Sequence, residues 1–332
     1  MDILNSFKDK TVLITGISGF VGSWLAETLC DVADVHGLYR YKSKDNLGNI
    51  EHIKNKITLV TGDIRDSERV FEIVKFVQPD YIFHLAAHSL VMPSFESPSE
   101  TYFHNISGTI NMLLASNSYG KSRMHFASTS EVYGNVKRNG EPINENDPLM
   151  PASPYGASKA ACDIICRTHA KCYGTDVVVT RAFNHGGVRR GEAFVTSVIA
   201  KQIADILLMK TEYMSIGNLH ARRDFTDVRD MIKAYMLTMI KGESGEVYNI
   251  GTGKSVSIKE LIMLTKDVVE EKYNRTLNFQ IVVEDGRIRP LDVDALCCDN
   301  ARIRNLGWMP VIPLKKTMLD MVEYYLAQSE KR

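Results

Sequence analysis

The chain has no surplus of charge. Lys and Arg number 40, and Asp and Glu number 40. That balance removes the electrostatic case for nucleic acid or an anionic membrane as a partner. An anionic ligand must then be held by a local cluster of cations. Long hydrophobic runs are also missing. "MDILNSFKDKTVLITG" is polar and acidic for ten residues and then enters an apolar run too short to cross a bilayer, so neither a membrane span nor a signal peptide is expected. Paired cysteine motifs are absent too. Cys30, Cys162, Cys166, Cys172, Cys297 and Cys298 form no CxxC, which reads as reduced thiols in a cytoplasmic protein. "CDIICRTHAKC" does set Cys162, Cys166 and His169 at helical spacing. Small apolar thiols on a helix face explain it better than a metal site, and no metal is expected. No low-complexity tract or fixed-period repeat occurs.

What is present is alternation. With 332 residues the chain exceeds the usual single-domain size of roughly 100–200 residues. Short apolar runs at 11–16, 34–40, 57–63, 79–87, 123–129 and 176–184 read as strands. Helix-length segments at about 20–33, 67–76, 99–118 and 154–172 lie between them. That order predicts a Rossmann-type, doubly wound parallel α/β sheet. Past residue 185 the rhythm changes. Gly- and Arg-rich loops at 185–194 and 217–225 flank a helix at about 194–209 and a strand at 213–216, and "GEVYNIGTG" (245–253) returns to the main sheet. The expected organisation is a dinucleotide-binding domain, 1–184 with about 226–256. A smaller, interleaved C-terminal α/β domain, 185–225 with about 257–330, would bind substrate.

"TGISGFVGSWLAETL" places Gly16, Gly19 and Gly22 between the first strand and the first helix. A glycine turn there lets the backbone approach a pyrophosphate, and the helix N-terminus offers free N–H groups. The second strand does not end in the acid that holds an NAD ribose. "HGLYRYKSK" offers Arg40, Lys42, Ser43 and Lys44 instead. Arg40 suits a 2′-phosphate, which points to NADP, with NAD the alternative and a solvated basic loop the plainer explanation. Asp63, in "GDIRD", follows the third strand, where its side chain can reach an adenine amino group.

Tyr155 and Lys159 stand four apart in "SPYGASK" on a helix, sharing one face. An ammonium beside a phenol favours the phenolate and lowers its pKa from about 10. Tyr155 thereby becomes a usable acid or base for a sugar hydroxyl. "ASTSEVYG" adds the hydroxyls of Ser128 and Thr129 and the carboxylate of Glu131. A plain alcohol dehydrogenase does not require that carboxylate.

Taken together, "TGISGFVG", "GDIRD", "HLAA", "STSEVYG", "SPYGASK" and "FNHGGVRRGEAFV" resemble the extended short-chain dehydrogenase/reductase family over essentially the whole chain. Within it, "STSEV", "SPY" with its lysine, "FNH…RRG…FVT" and "GNLHARRDF" are most similar to the GDP-mannose 4,6-dehydratases. Two segments depart from that pattern. "GFVGS" (19–23) stands where the dehydratases usually have "GQDGS". "FTDVRD" (225–230) replaces a Trp–Gly and is closer to the GDP-4-keto-6-deoxymannose reductases.

The resemblance implies an NADP-dependent hydride cycle on a nucleotide-activated hexose or heptose, of which GDP-mannose and GDP-manno-heptose are the main candidates. It implies a cofactor site of Gly16, Gly19, Phe20, Val21, Gly22, Arg40, Asp63, Ile64, Leu85, Ala86, Ala87, Tyr155 and Lys159. It implies a catalytic set of Thr129, Glu131, Tyr155 and Lys159. On a hexose with a carbon-6 hydroxyl, Tyr155 would take the carbon-4 hydroxyl proton while Thr129 holds that oxygen. Glu131 would take the carbon-5 proton and protonate the hydroxide leaving carbon 6. Capping a loop or pairing with an arginine is the structural alternative for Glu131. Substrate contacts would come from Ser89, Ser130, Asn184, Arg190, Val195, Lys201, Arg223 and Arg289. Arg229, in the acid-laced "RRDFTDVRD", suits a structural ion pair. The helices at 99–118 and 154–172 are apolar on more than one side, and the family packs this pair against its copy, implying a homodimer or homotetramer. A reductase or epimerase of the same fold would leave Glu131 idle. A UDP-glucuronate decarboxylase shares "STSEVYG" but not the two arginine loops. A non-catalytic NADP sensor would not need the Thr–Tyr–Lys set.

Overall fold

Apolar residues in the short strands leave no polar face, so both sides of the sheet must be covered. The structure is a computed structural model that describes residues 3–41, 47–119, 122–137, 141–287 and 290–330. Lys42, Ser43, Lys44 and Arg289 lie outside the described residues. The chain enters as β1 (Thr11–Thr15), α1 (Phe20–Leu29), β2 (Asp34–Tyr39), β3 (Thr58–Thr61), α2 (Ser67–Val77) and β4 (Tyr81–His84). Short helices α3 (Val91–Glu96) and α4 (Pro98–Tyr102) run through a π-helical turn, Phe103–Ser107, into α5 (Gly108–Ser118). Then come β5 (Arg123–Thr129), α6 (Pro154–Tyr173) and β6 (Val177–Ala182).

The second half begins with β7 (Asn184–Gly186), α7 (Val195–Leu207), β8 (Tyr213–Ile216), β9 (Arg222–Asp227) and α8 (Val228–Lys241). It continues through β10 (Val247–Ile250), β11 (Ser255–Ser257), α9 (Ile258–Tyr273), β12 (Gln280–Val283) and β13 (Ala295–Leu296), and ends in α10 (Ala301–Asn305) and α11 (Leu314–Ser329). The main sheet has seven strands in the order β10-β6-β5-β4-β1-β2-β3, all parallel. This is the Rossmann-type sheet expected from the alternation. Its strand order reverses between β1 and β4, which opens a crevice beyond their carboxyl ends.

Thr15, the last residue of β1, closes that junction. Its Oγ1 accepts from the Leu85 and Ala86 N–H groups at 3.1 and 3.0 Å and lies 2.9 Å from His84 Nδ1. One face of the sheet packs on α1 and α8 through Ile14, Leu25, Phe83, Val178, Met231 and Tyr235. The other packs on α2, α5 and α6 through Leu13, Ile82, Leu113, Phe126, Cys162 and Val179. A second core gathers Ile199, Ile203, Leu261, Ile262, Met318 and Met321 from α7, α9 and α11.

Arg181 of β6 and Asp163 of α6 form a buried ion pair, Nε–Oδ2 2.8 Å and Nη2–Oδ1 3.0 Å. Arg181 Nη1 also donates to the Tyr133 hydroxyl at 2.8 Å and to the Glu145 carbonyl at 3.0 Å. The Tyr133 hydroxyl in turn donates to Asn249 Oδ1 of β10 at 2.7 Å. This network fixes α6 against β6 and against the loop after β5. Losing either charged partner would strand the other inside the protein, which costs roughly 3–5 kcal/mol.

The structure differs from the sequence reading in several places: the helix read at 99–118 is α4, a π-helical turn and α5, and the loop read at 185–194 begins within β7. The segment read as an arginine-rich loop at 217–225 runs into β9 from Arg222, α8 fills residues left unassigned, and the first helix stops at Leu29.

Candidate active site

A cleft of about 570 Å³ opens where the strand order reverses. Its floor at one end is the glycine turn. Gly16 has φ +73°, and a Cβ there would stand 3.1 Å from the Ala86 backbone. A Cβ on Gly22 would overlap the Gly16 carbonyl. Gly19 caps α1 with no side-chain hydrogen bond, so the first N–H groups of the helix keep no side-chain acceptor. A backbone cradle at a helix N-terminus fits the pyrophosphate of a dinucleotide. Phe20, Val21, Ile64, Leu85, Ala86 and Ala87 line the same cleft.

Arg40 and Asp63 mark its far end, after β2 and β3. Arg40 is half exposed and 3.8 Å from Asp63 Oδ2. The Asp63 carboxylate is gripped by Arg65, Nε–Oδ1 3.0 Å and Nη2–Oδ2 2.8 Å, and these bonds hold its pKa down at about 2. The Arg40 guanidinium is therefore the less committed of the two cations there.

The reaction end is built from two elements. β5 ends at Thr129 in extended conformation, and Thr129 Oγ1 accepts from the Glu131 N–H at 3.3 Å. This turns Glu131 into the cleft in a short 3-10 turn, where it is 7% exposed. α6 starts beside it. Ser153 caps the helix by accepting from the Gly156 N–H at 3.0 Å, and Pro154 opens the first turn. Tyr155 faces the cleft with its phenol beside the Thr129 side chain. Thr129, Glu131, Tyr155 and Lys159 thus share one end of one cleft.

Burial pushes the Tyr155 phenol up to about 12 and the Glu131 charge adds to it, while the Thr129 hydroxyl and the Arg190 charge oppose them. Lys159 is almost fully buried, its Nζ 4.2 Å above the Phe126 ring, and burial lowers its pKa. Of the cations, Arg190 acts on the phenol most strongly, whereas the sequence reading gave that part to Lys159. Arg190 stacks on Phe194 at 3.9 Å and Phe20 at 5.2 Å, and burial lowers its pKa to about 10. Neither Lys159 nor Arg190 has an ion-paired carboxylate among the described residues.

Of the residues assigned to substrate, Ser89, Ser130, Asn184 and Arg190 line the cleft. Three others stand elsewhere. Arg223 is buried in β9, where it donates to the Val293 carbonyl at 2.7 Å and to Asp292 at 3.0 Å. Lys201 pairs with Glu192 on the surface of α7. Val195 packs on the second core, and its neighbour Phe194 reaches the cleft instead. Arg289 lies outside the described residues. Arg229 pairs with Asp227 and Asp320 at 2.7 and 2.8 Å. Sequence reading missed His185, stacked on Phe20 with ring centroids 5.9 Å apart, and Tyr235, which no motif marks.

The family model for GDP-mannose 4,6 dehydratase matches residues 13–321. The chain belongs to the GDP-mannose 4,6-dehydratase family. It is 31% identical to the GDP-mannose 4,6-dehydratase of Yersinia enterocolitica, over 97% of this chain and 95% of that protein. It is 34% identical to the GDP-mannose 4,6 dehydratase of Cricetulus griseus, over 95% and 91%. Among solved structures, RMD from Pseudomonas aeruginosa complexed with NADPH superposes with a TM-score of 0.80 at 27% identity, covering 96% of this chain and 99% of that one.

The arrangement predicts a pH effect in this family member. A phenolate is an anion, so removing a neighbouring cation raises the phenol's pKa. Arg190→Met should shift the alkaline titration of Tyr155, read by ultraviolet difference absorbance, to higher pH than in the wild type. An unmoved titration would mean that Arg190 does not act on the phenol.

Proposed function

We propose that the protein is a nucleotide-sugar 4,6-dehydratase acting on GDP-mannose or a GDP-manno-heptose. The observation that carries this reading is Glu131, a carboxylate held in the cleft beside the Thr129–Tyr155 pair. Residues 1–184 and 226–256 hold the cofactor in this reading, and 185–225 with 257–330 hold the nucleotide sugar. NADP is the cofactor, with NAD as the alternative. Arg40 supports the choice, because a cation stands where an acid would be needed for an NAD ribose, and so does the NADPH complex of RMD.

The chain's own groups divide the work. Thr129 holds the carbon-4 oxygen and Tyr155 takes its proton. NADP, held by the Gly16–Gly22 turn and Arg40, would supply the hydride chemistry, from carbon 4 and back to carbon 6. The carbon-4 ketone acidifies the carbon-5 proton, which Glu131 removes. Glu131 then gives that proton to the hydroxide leaving carbon 6, so one water is lost, and when the hydride returns to carbon 6 the proton taken by Tyr155 goes to carbon 5, which resets both residues. Lys159 and Arg190 supply positive charge around the phenol. No helix among the described residues is long and apolar enough to cross a membrane. The cysteines are free thiols, which supports a reducing, cytoplasmic setting.

A second copy of the chain completes the proposal. Tyr102, Phe103, Leu114, Ile164 and Tyr173 are exposed apolar residues on the helical segments 98–118 and 154–173. Covering them calls for a homodimer, which a tetramer would retain. Light scattering at micromolar concentration should give at least twice the chain mass, and a monomer would overturn this part.

The chemical test is Glu131→Gln. The amide neither accepts the carbon-5 proton nor donates to the leaving group, and losing such help costs about 10²–10⁴-fold in rate. Oxidation at carbon 4 is untouched. The variant should therefore accumulate reduced nicotinamide absorbance on adding GDP-mannose, with little 4-keto-6-deoxy product. Product at close to the wild-type rate would return Glu131 to a structural role.

A further inference from the structure

Three buried polar side chains behind the reaction end of the cleft take no part in that mechanism. Tyr235 of α8 is 2% exposed and Thr180 of β6 and His125 of β5 are fully buried, yet Tyr235 lines the cleft. The rings of His125 and Tyr235 lie 4.4 Å apart. His125 Nε2 is 2.9 Å from Thr180 Oγ1, and Thr180 opposes the rise that burial causes in the Tyr235 phenol's pKa.

Proton positions in this chain follow from what each atom can still bond. Burial keeps His125 neutral, with its pKa down at about 3. Its Nδ1 is buried and has no hydrogen-bond partner among the described residues. A stranded N–H is a poorer arrangement than a stranded lone pair, so the proton sits on Nε2 and is donated to Thr180. Among the described residues the Thr180 hydroxyl makes no hydrogen bond other than that with His125, and the Tyr235 oxygen is the acceptor beside it for its own proton. The hydroxyl proton of Tyr235 is then left over, at the wall of the cleft.

Position decides what could accept it. Tyr235 shares the wall with Tyr155, Arg190, Ala127 and Ala182, at the ends of β5 and β6. Arg40, at the adenosine end, follows β2, four strand spacings from β6, or about 19 Å at 4.7–4.9 Å per strand. We propose that Tyr235, set by Thr180 and His125, donates its hydroxyl proton to an oxygen at the nicotinamide end of the bound dinucleotide. The inference rests on the proposed cofactor reading and adds a binding residue to it.

Calorimetry with two ligands tests it. NADP carries both ends of the dinucleotide, whereas 2′,5′-ADP carries only the adenosine end. Tyr235→Phe keeps the ring packing and should weaken NADP binding roughly threefold to tenfold, the worth of one hydrogen bond, while 2′,5′-ADP binds as in the wild type. Thr180→Val should cause a smaller loss of the same kind, and the double variant should be no weaker than Tyr235→Phe alone. Equal loss for both ligands would mark a disturbed fold and overturn the proposal, as would no loss for either. A wild-type protein that binds 2′,5′-ADP but not NADP, or neither, would overturn the cofactor reading itself.

Discussion

The first turn of α6 lies against the carbonyl of Glu131, and the reaction end of the cleft depends on that contact. A Cβ on Gly156 would stand 2.7 Å from the Glu131 carbonyl oxygen, so only glycine lets the helix come this close. The approach brings Tyr155, one residue earlier, beside Thr129 and into the field of the Glu131 charge. The rest of the local structure keeps the helix there. Ser153 caps it, the Ser158 hydroxyl bonds Asn105 Nδ2 and the Tyr155 carbonyl, and Asp163 is locked onto Arg181. A carboxylate from a strand end and a phenol from a helix can then act on neighbouring carbons of one sugar.

Charge at the site is local, as a chain with no net charge requires. Acids around the cleft other than Glu131 are already engaged: Asp63 by Arg65, Asp163 by Arg181, Glu27 by Arg189. Lys159 and Arg190 rest on aromatic rings rather than on carboxylates. Ring faces offset part of the desolvation cost of a cation but do not neutralise it, which is why burial lowers both pKa values. A phosphate-bearing ligand would restore what burial removes, so the site is built to gain from binding anions.

The sheet was legible because buried parallel strands read as unbroken apolar runs, and the glycine turn and "SPYGASK" carry fixed backbone geometry. β9 was not legible, because it is a buried strand that carries Arg222, Arg223 and Asp224. Asp224 is satisfied by the N–H groups of Thr252 and Gly253, and Arg223 by the Val293 carbonyl and Asp292, partners far away in sequence. Hydropathy cannot show such distant compensation. For the same reason Arg190 and Arg223 look alike in the sequence, yet one lines the cleft and the other ties β9 to residues 292–293. Tyr235 sits on a helix of ordinary amphipathic pattern, and only the fold brings it under β5 and β6.

In the proposed reaction hydride leaves carbon 4 and returns to carbon 6 of the same sugar while one water is lost. The most direct measurement follows GDP-mannose carrying deuterium at carbon 4, by mass spectrometry and deuterium NMR of the product. The expected product is a nucleotide sugar lighter by one water, with the deuterium now on carbon 6. A product that keeps the mass of its water, or that has lost the deuterium to free cofactor, would contradict it.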